Sequence, residues 1–342
     1  MPVTGGVRTV VGVDGTHTHR GRPWPAVALF FLAPLVGEYL LGNTPVIDPG
    51  ALALLAPMYG GGAVLVREVA RRAGRGWPAI LAFAAAYALL EEGPIDMMLW
   101  NPGYGGFDMR AAYAGTFVPA LGTSVQLLQD VLSMHGIWSI CVPIAVVEAF
   151  ARPHDRPWLG NRGLSVVGVV FVLGSLLLCA MQIGSTGFVA APGELAWSLA
   201  AIGGLVVLGV RSGGRPGSRR DVAAPRPWAV GFAAFAFTSV YWAREALGEA
   251  VAAWGLVAGW CVLVAAGAAL CVRWSRARDW GASHRLALAG GALLTYVWAG
   301  FLHAQQMGIP PVISVPARLT LATATIVLLV AAARRVTTDA PA

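Results

Sequence analysis

Glu91, Glu92 and Asp96 stand in the segment AYALLEEGPIDMMLWNP, and Asp130 and His135 in SVQLLQDVLSMHGIWSICVPIAVVE. Glu38 sits in an apolar run near the N-terminus, and His303 in YVWAGFLHAQQMG. Carboxylates and imidazoles are the usual proton-transfer groups of enzymes. Placed inside an apolar segment they are costly enough to point to function. Glu92 and Asp96 are four apart and share a helix face, with Tyr87 and Glu91 on the adjacent one. Two neighbouring carboxylates in low dielectric cannot both ionise cheaply. The pattern suits an acid–base pair, a proton relay or a cation site. Pro94, preceded by Gly93, cannot donate to the carbonyl of Leu90 and should open the helix there. His135 and Ser139 are one turn apart, while Asp130 lies off their face; Tyr296, His303 and Gln306 fall on one side of their own helix.

Each of these has a plainer reading. A buried acid is often neutralised by an arginine from another helix, here Arg67 or Arg244, and a membrane histidine is often an interhelical hydrogen-bond partner. Glu148 beside Arg152, and Glu68 beside Arg71 and Arg72, read as interfacial ion pairs. Gly60, Gly61 and Gly62 read as a close helix contact. Most of the 13 tryptophans read as an aromatic belt at span ends.

The elements that must position these groups are membrane helices. Of 342 residues, 57% are apolar and only 12% charged, and the mean hydropathy is +0.66. Disorder and ordinary soluble domains are thereby excluded. Ten charge-poor windows are long enough to cross a bilayer, over 24–42, 51–70, 77–99, 124–150, 163–183, 195–211, 227–243, 248–272, 285–306 and 316–333. The fold class expected is all-α: a polytopic helical membrane protein of about ten transmembrane helices, both termini inside. Twenty of the 24 arginines then fall on one face, leaving Arg67, Arg110, Arg244 and Arg318. The +7 charge is thus topological and does not call for nucleic acid. Residues 1–23 and 336–342 read as cytoplasmic tails, and 24–335 as one transmembrane domain with its polar core from spans one to four and nine. Spans five, six, eight and ten read as scaffold. The four cysteines lie inside apolar spans without metal or disulfide spacing. No GxxxxGK[ST] loop is present, so the chain is not itself an ATP-driven pump.

From YGGGAVLVREVARRAGRGWP through AYALLEEGP and NPGYGG to HGIWSICVPIAVVE, about residues 30–150, the chain resembles a widespread family of prokaryotic polytopic membrane proteins. That resemblance implies a multi-pass membrane protein and carries no chemistry. A second resemblance is to the CPBP family of intramembrane proteases, whose Glu-Glu-x-x-x-Arg, Phe-x-x-x-His and His-x-x-x-Asn helices activate water. Glu91 and Glu92 match its acidic pair with Asp96 in place of Arg. His135 matches its second motif with Val131 in place of Phe, and His303 its third with Met307 in place of Asn.

The residues lead to an expected acid–base enzyme of the cell membrane, a hydrolase or cyclase acting on a lipid- or isoprenoid-like substrate. Glu92 would be general base or acid and Glu91 would hold a shared proton. His135 and His303 would orient water or stabilise developing charge, with Asp96 and Asp130 tuning them. Glu38, Tyr87, Ser139, Tyr296 and Gln306 would bind substrate or tune the site. All would converge in a wet cavity opening to the extracytoplasmic side. No cofactor is expected, and no HExxH or comparable spacing supports a metal. The expected partners are the lipid bilayer and an apolar small molecule or lipid, with a homo-oligomer left open. A proton- or cation-coupled transporter using the same carboxylates, and a membrane subunit without chemistry, are the rival expectations.

Overall fold

The computed structural model describes residues 23–338 apart from 152, 213–219, 245–246 and 248–250. The N-terminal histidines and arginines, Arg152, and the acids Glu245 and Glu249 lie outside the described residues. Helix α1 (Trp24–Pro34) runs on into a π turn, Leu35–Leu40. Then follow α2 (Pro49–Arg72) and α3 (Trp77–Leu90), the latter continued by the π turn Glu91–Ile95. A short α4 (Arg110–Ala114) and a small antiparallel pair, β1 (Phe117–Val118) with β2 (Thr123–Ser124), fill the next loop. The fourth crossing is α5 (Val125–Ser133), a π segment Met134–Cys141 and α6 (Val142–Phe150). The remaining helices are α7 (Asn161–Thr186), α8 (Pro192–Arg211), α9 (Pro227–Ala243), α10 (Ala253–Ser275), α11 (Ala282–Gln306) and α12 (Pro311–Thr338). Among the described residues eight helices have the length and composition to span a membrane; Trp24–Leu40 is a shorter apolar helix, and α9 has 17 residues. Together they coincide with the ten expected spans, although α12 continues to Thr338, past the expected end at 335.

Helix starts follow local chemistry. Proline occupies the first turn of α2, α3, α8 and α9, where its missing N–H costs nothing. Asp48 and Ser124 cap α2 and α5 by accepting from Ala51 N–H at 3.1 Å and Leu127 N–H at 3.3 Å. Gly187, at φ +67°, ends α7 in the left-handed conformation.

Burial separates an inner from an outer set. In the most apolar window of each crossing, 72% of residues are buried for α3 and 78% for α5–α6, against 11% for α7 and α8, 6% for α10 and 22% for α12. The four scaffold spans are therefore the periphery, and the helices bearing acids and histidines are the centre. Small residues bring the central helices together. A Cβ on Gly60 would lie 1.9 Å from the Phe30 carbonyl oxygen, and one on Gly62 would lie 2.2 Å from the Tyr87 ring. The glycine triplet is the close contact that its composition implied.

At the arginine-rich end a buried ion cluster locks α2 to α6. Arg71 forks onto both oxygens of Glu148, at 2.9 and 2.8 Å, and Arg67 Nε reaches the same carboxylate at 3.1 Å. Arg67 also bonds Glu68 at 2.6 Å and stacks 3.4 Å over the Trp158 ring. Glu68 accepts further from Trp158 and Leu159 N–H at 2.9 and 3.1 Å. Two guanidinium and two carboxylate groups cancel, which is the condition for burying charge. Arg72 keeps the one-turn pairing with Glu68 read along the sequence, at 3.9 Å, and Arg152, the expected partner of Glu148, lies outside the described residues. Glu148 takes Arg67 and Arg71 from α2, and Glu68 takes its immediate neighbour Arg67.

Gly60→Ala should lower stability by about 1–3 kcal/mol or more, since backbone must give way; Gly204→Ala, with open space around it, should not lower it. Glu148→Gln should cost about 3–5 kcal/mol by stranding the buried Arg71 guanidinium, while Arg67 keeps Glu68. Melting of each variant in detergent, read by tryptophan fluorescence, checks all three.

Candidate active site

Three of the crossings that bring groups to the candidate site do so with a widened turn. Glu38 lies in the π turn of the first crossing, Glu91 and Glu92 in that of the third, and His135 and Ser139 in that of the fourth. A π turn inserts a residue into the helical register and recurs at functional positions. In the third crossing its cause is visible in the sequence. Pro94 offers no N–H, and Asp96 N–H instead reaches the Glu91 carbonyl five residues back at 2.7 Å. The helix ends there, with Met97 in the left-handed region at φ 58°, a conformation uncommon outside glycine. The opening expected at Gly93–Pro94 is present as this π turn.

The result is a histidine held between two carboxylates. Glu91 Oε2 approaches His135 Nδ1 at 2.8 Å, and Glu92 Oε1 approaches Nε2 at 2.9 Å. Glu91 is fully buried, Glu92 is 4% exposed and His135 6%. Beside them Tyr59 donates its hydroxyl to Glu38 Oε1 at 2.6 Å, and its ring centroid lies 5.9 Å from that of His135. Thr44 donates to the other Glu38 oxygen at 3.4 Å. Ser139 packs against Gly37, where a Cβ would lie 2.7 Å from its hydroxyl oxygen. The Tyr87 hydroxyl, both Glu91 oxygens, Glu92 Oε2 and His135 Nδ1 are buried and make no directed hydrogen bond among the described residues.

Neither Arg67 nor Arg244 neutralises this cluster. Arg67 is committed to Glu68 and Glu148, and Arg244 to Asp130, which Tyr241 also bonds at 2.9 Å. Glu38, Glu91, Glu92 and Asp96 have no arginine partner among the described residues, whereas Glu68, Asp130 and Glu148 each have one. That contrast marks where charge is balanced for the fold and where it is not.

Several expected members stand apart. Asp130 belongs to the Arg244–Tyr241 ion pair. Asp96, carried past the π turn, accepts from Tyr104 at 3.2 Å and stays close enough to feel the charges of Glu92 and Glu91. His303 Nε2 is 2.6 Å from Asn43 Oδ1, and Gln306 serves the same histidine. Tyr296 stacks on Trp138 at 4.5 Å within an aromatic core completed by Trp242 and Tyr241. Trp138 and Trp242 are accordingly core, not belt. Glu38, Glu91, Glu92 and His135 are themselves buried. Tyr59 and Asn43 were missed. Asn43 follows the first span directly and Tyr59 precedes the glycine triplet, but neither type is ionised, so a search for charges passes over both.

A polytopic all-α membrane protein with a buried Glu–His–Glu cluster is the class that these observations define. The chain belongs to an uncharacterized membrane protein family, whose profile matches residues 27–341. No curated protein and no solved structure matches it. The likeness to the CPBP proteases is not carried by this match, and it loses its third motif because His303 does not meet His135.

In the loop that joins α6 to α7, His154 Nε2 accepts from Arg285 Nη2 at 3.0 Å. Burial, and then the Arg285 charge, hold its pKa below the usual histidine value, with Glu148 and Asp155 opposing. The folded state therefore binds this proton less readily than the unfolded chain. Its contribution is present above about pH 6.5 and lost as pH falls through the depressed value. Wild type should melt progressively lower from pH 8 to pH 5, and His154→Gln should flatten that dependence; parallel melts in detergent compare the two slopes.

Proposed function

We propose that this protein is an acid–base enzyme embedded in the cell membrane, acting on a lipid- or isoprenoid-like substrate, in the first instance as a hydrolase. The observation that carries the reading is His135 between Glu91 and Glu92 at 2.8 and 2.9 Å, buried and without an arginine. A carboxylate in contact with an imidazole is a proton-transfer pair, and its two members can serve opposite directions of transfer. For an ester, Glu92 takes a proton from water as the water oxygen bonds to the carbonyl carbon and the carbonyl pair moves onto its oxygen. Collapse of that adduct re-forms the carbonyl and breaks the bond to the alkoxide, which leaves with a proton from His135. Glu92 then returns its proton to His135, so the products are one acid and one alcohol. Glu91 holds the imidazole in place through its other nitrogen. The membrane setting selects an apolar substrate, because one that partitions into the bilayer reaches a site among crossing helices without passing through water.

One observation favours a second reading, a proton-coupled transporter. Polar side chains follow one another from His303 to Asn43, from Asn43 to Glu38, from Glu38 to Tyr59 and on to His135. Such a chain can relay protons.

Reconstituted into vesicles with fluorogenic lipid esters, wild type should turn over, and Glu92→Gln and His135→Gln should lower kcat by about a hundredfold or more with KM little changed. Full turnover in both variants would overturn the hydrolase reading. If instead wild type shows only pH-gradient-driven solute uptake and Glu92→Gln abolishes it, the transporter reading replaces it.

A further inference from the structure

With both carboxylates of the candidate site ionised, charge does not close on protein groups. An imidazolium between two carboxylates leaves one negative charge, and Glu38 and Asp96 stand nearby without arginines. Buried charge of this kind is expensive unless paired. A divalent cation on the two carboxylates and a neutral imidazole sums to zero.

Donor geometry agrees. Glu91, Glu92 and His135 each offer one ligand atom, and these atoms lie within 4.8 Å of one another, all on buried residues. An ion about 2.0–2.2 Å from each donor requires donors within roughly 4.4 Å of one another, a small movement of two carboxylates. The unspent atoms supply an independent sign. Glu91 Oε1 and Glu92 Oε2 are buried with no directed hydrogen bond among the described residues, and Glu91 Oε2 faces His135 Nδ1 at 2.8 Å. Meanwhile Glu92 Oε1 engages Nε2 at 2.9 Å. In metal sites a carboxylate at the far imidazole nitrogen orients the near one toward the ion.

We propose that Glu91, Glu92 and His135 form a binding site for a divalent first-row metal ion, Zn²⁺ or Mn²⁺, through one oxygen of each carboxylate and Nδ1 of the histidine. One imidazole nitrogen with two carboxylate oxygens suits these ions better than Ca²⁺ or Mg²⁺, which take all-oxygen shells. Three protein ligands leave a position for water. The proposal therefore deepens the hydrolase reading, on which it rests for its role, by naming the group that would activate that water.

The test uses full-length protein in detergent, stripped with a chelator and titrated with Zn²⁺, Mn²⁺ and, as a visible probe, Co²⁺. Wild type should bind one ion per chain, with a higher melting temperature on Zn²⁺ or Mn²⁺ addition and Co²⁺ absorption bands. Glu91→Gln, Glu92→Gln and His135→Gln should each weaken binding by at least about tenfold, while exposed Asp108→Asn should match wild type. Melting of the stripped proteins separates weakened binding from failure to fold; if one variant does not fold, the other two decide. Sub-stoichiometric, unsaturable binding by wild type, or binding unchanged in the folded variants, overturns the site. Stoichiometric binding without turnover of any lipid ester would sink the hydrolase reading and leave the metal site standing. Full turnover by chelated, metal-free protein would do the reverse.

Discussion

A carboxylate carried into the middle of a bilayer must meet an opposite charge or give up its own, and this constraint organises the whole molecule. At the arginine-rich end the answer is pairing: Arg67 and Arg71 with Glu68 and Glu148, sealed by the Trp158 ring and by backbone N–H groups. Asp130 is answered in the same way by Arg244. Glu91 and Glu92 receive only the imidazole of His135. Of the 24 arginines, Arg67, Arg71 and Arg244 answer Glu68, Glu148 and Asp130, and none among the described residues pairs with Glu38, Glu91, Glu92 or Asp96. The deficit is where a proton or a cation can come and go.

The π turns explain how three crossings deliver groups to one point. In an α-helix Glu91 and Glu92 would project about 100° apart, and only one would reach a given neighbour. The widened turn at Glu91–Ile95 lets both address the same imidazole ring, one at each nitrogen. His135 begins its own widened segment, and Glu38 sits in a third. Such turns leave backbone carbonyls and amides in unfavourable register, so they persist where packing and side-chain contacts hold them. The Gly60–Phe30 and Gly62–Tyr87 contacts supply that packing on the helices concerned.

Much of this was legible in the sequence, and the failures share a cause. The ten crossings follow from charge-free windows and the arginine alternation, because both are properties of single segments. Glu91, Glu92 and His135 were marked by ionisable type in an apolar setting, and their meeting needed only two helices to touch. Which arginine answers which acid was not legible. Partners on different helices depend on rotation and depth, so the two α2 arginines that meet Glu148 could not be read from spacing along the chain. His303 and Tyr296 were misplaced for the same reason: their shared face points to Asn43 and to Trp138, not to His135.

The balanced and unbalanced clusters are not independent. Helix α2 carries Tyr59 toward one and Arg67, Glu68 and Arg71 toward the other, and the fourth crossing carries both His135 and Glu148. The thirteen residues from His135 to Glu148 span about 20 Å, so the two clusters occupy opposite ends of the same pair of helices. Locking α2 to α6 at the arginine-rich end fixes the relative rotation and depth of those helices, and with them the approach of Tyr59 to His135. A group held a few tenths of an ångström out of place transfers protons poorly. The ion cluster therefore acts on the candidate site through geometry. The fold places its compensated charge where rigidity is needed and its uncompensated charge where exchange is needed, and the same two helices join them.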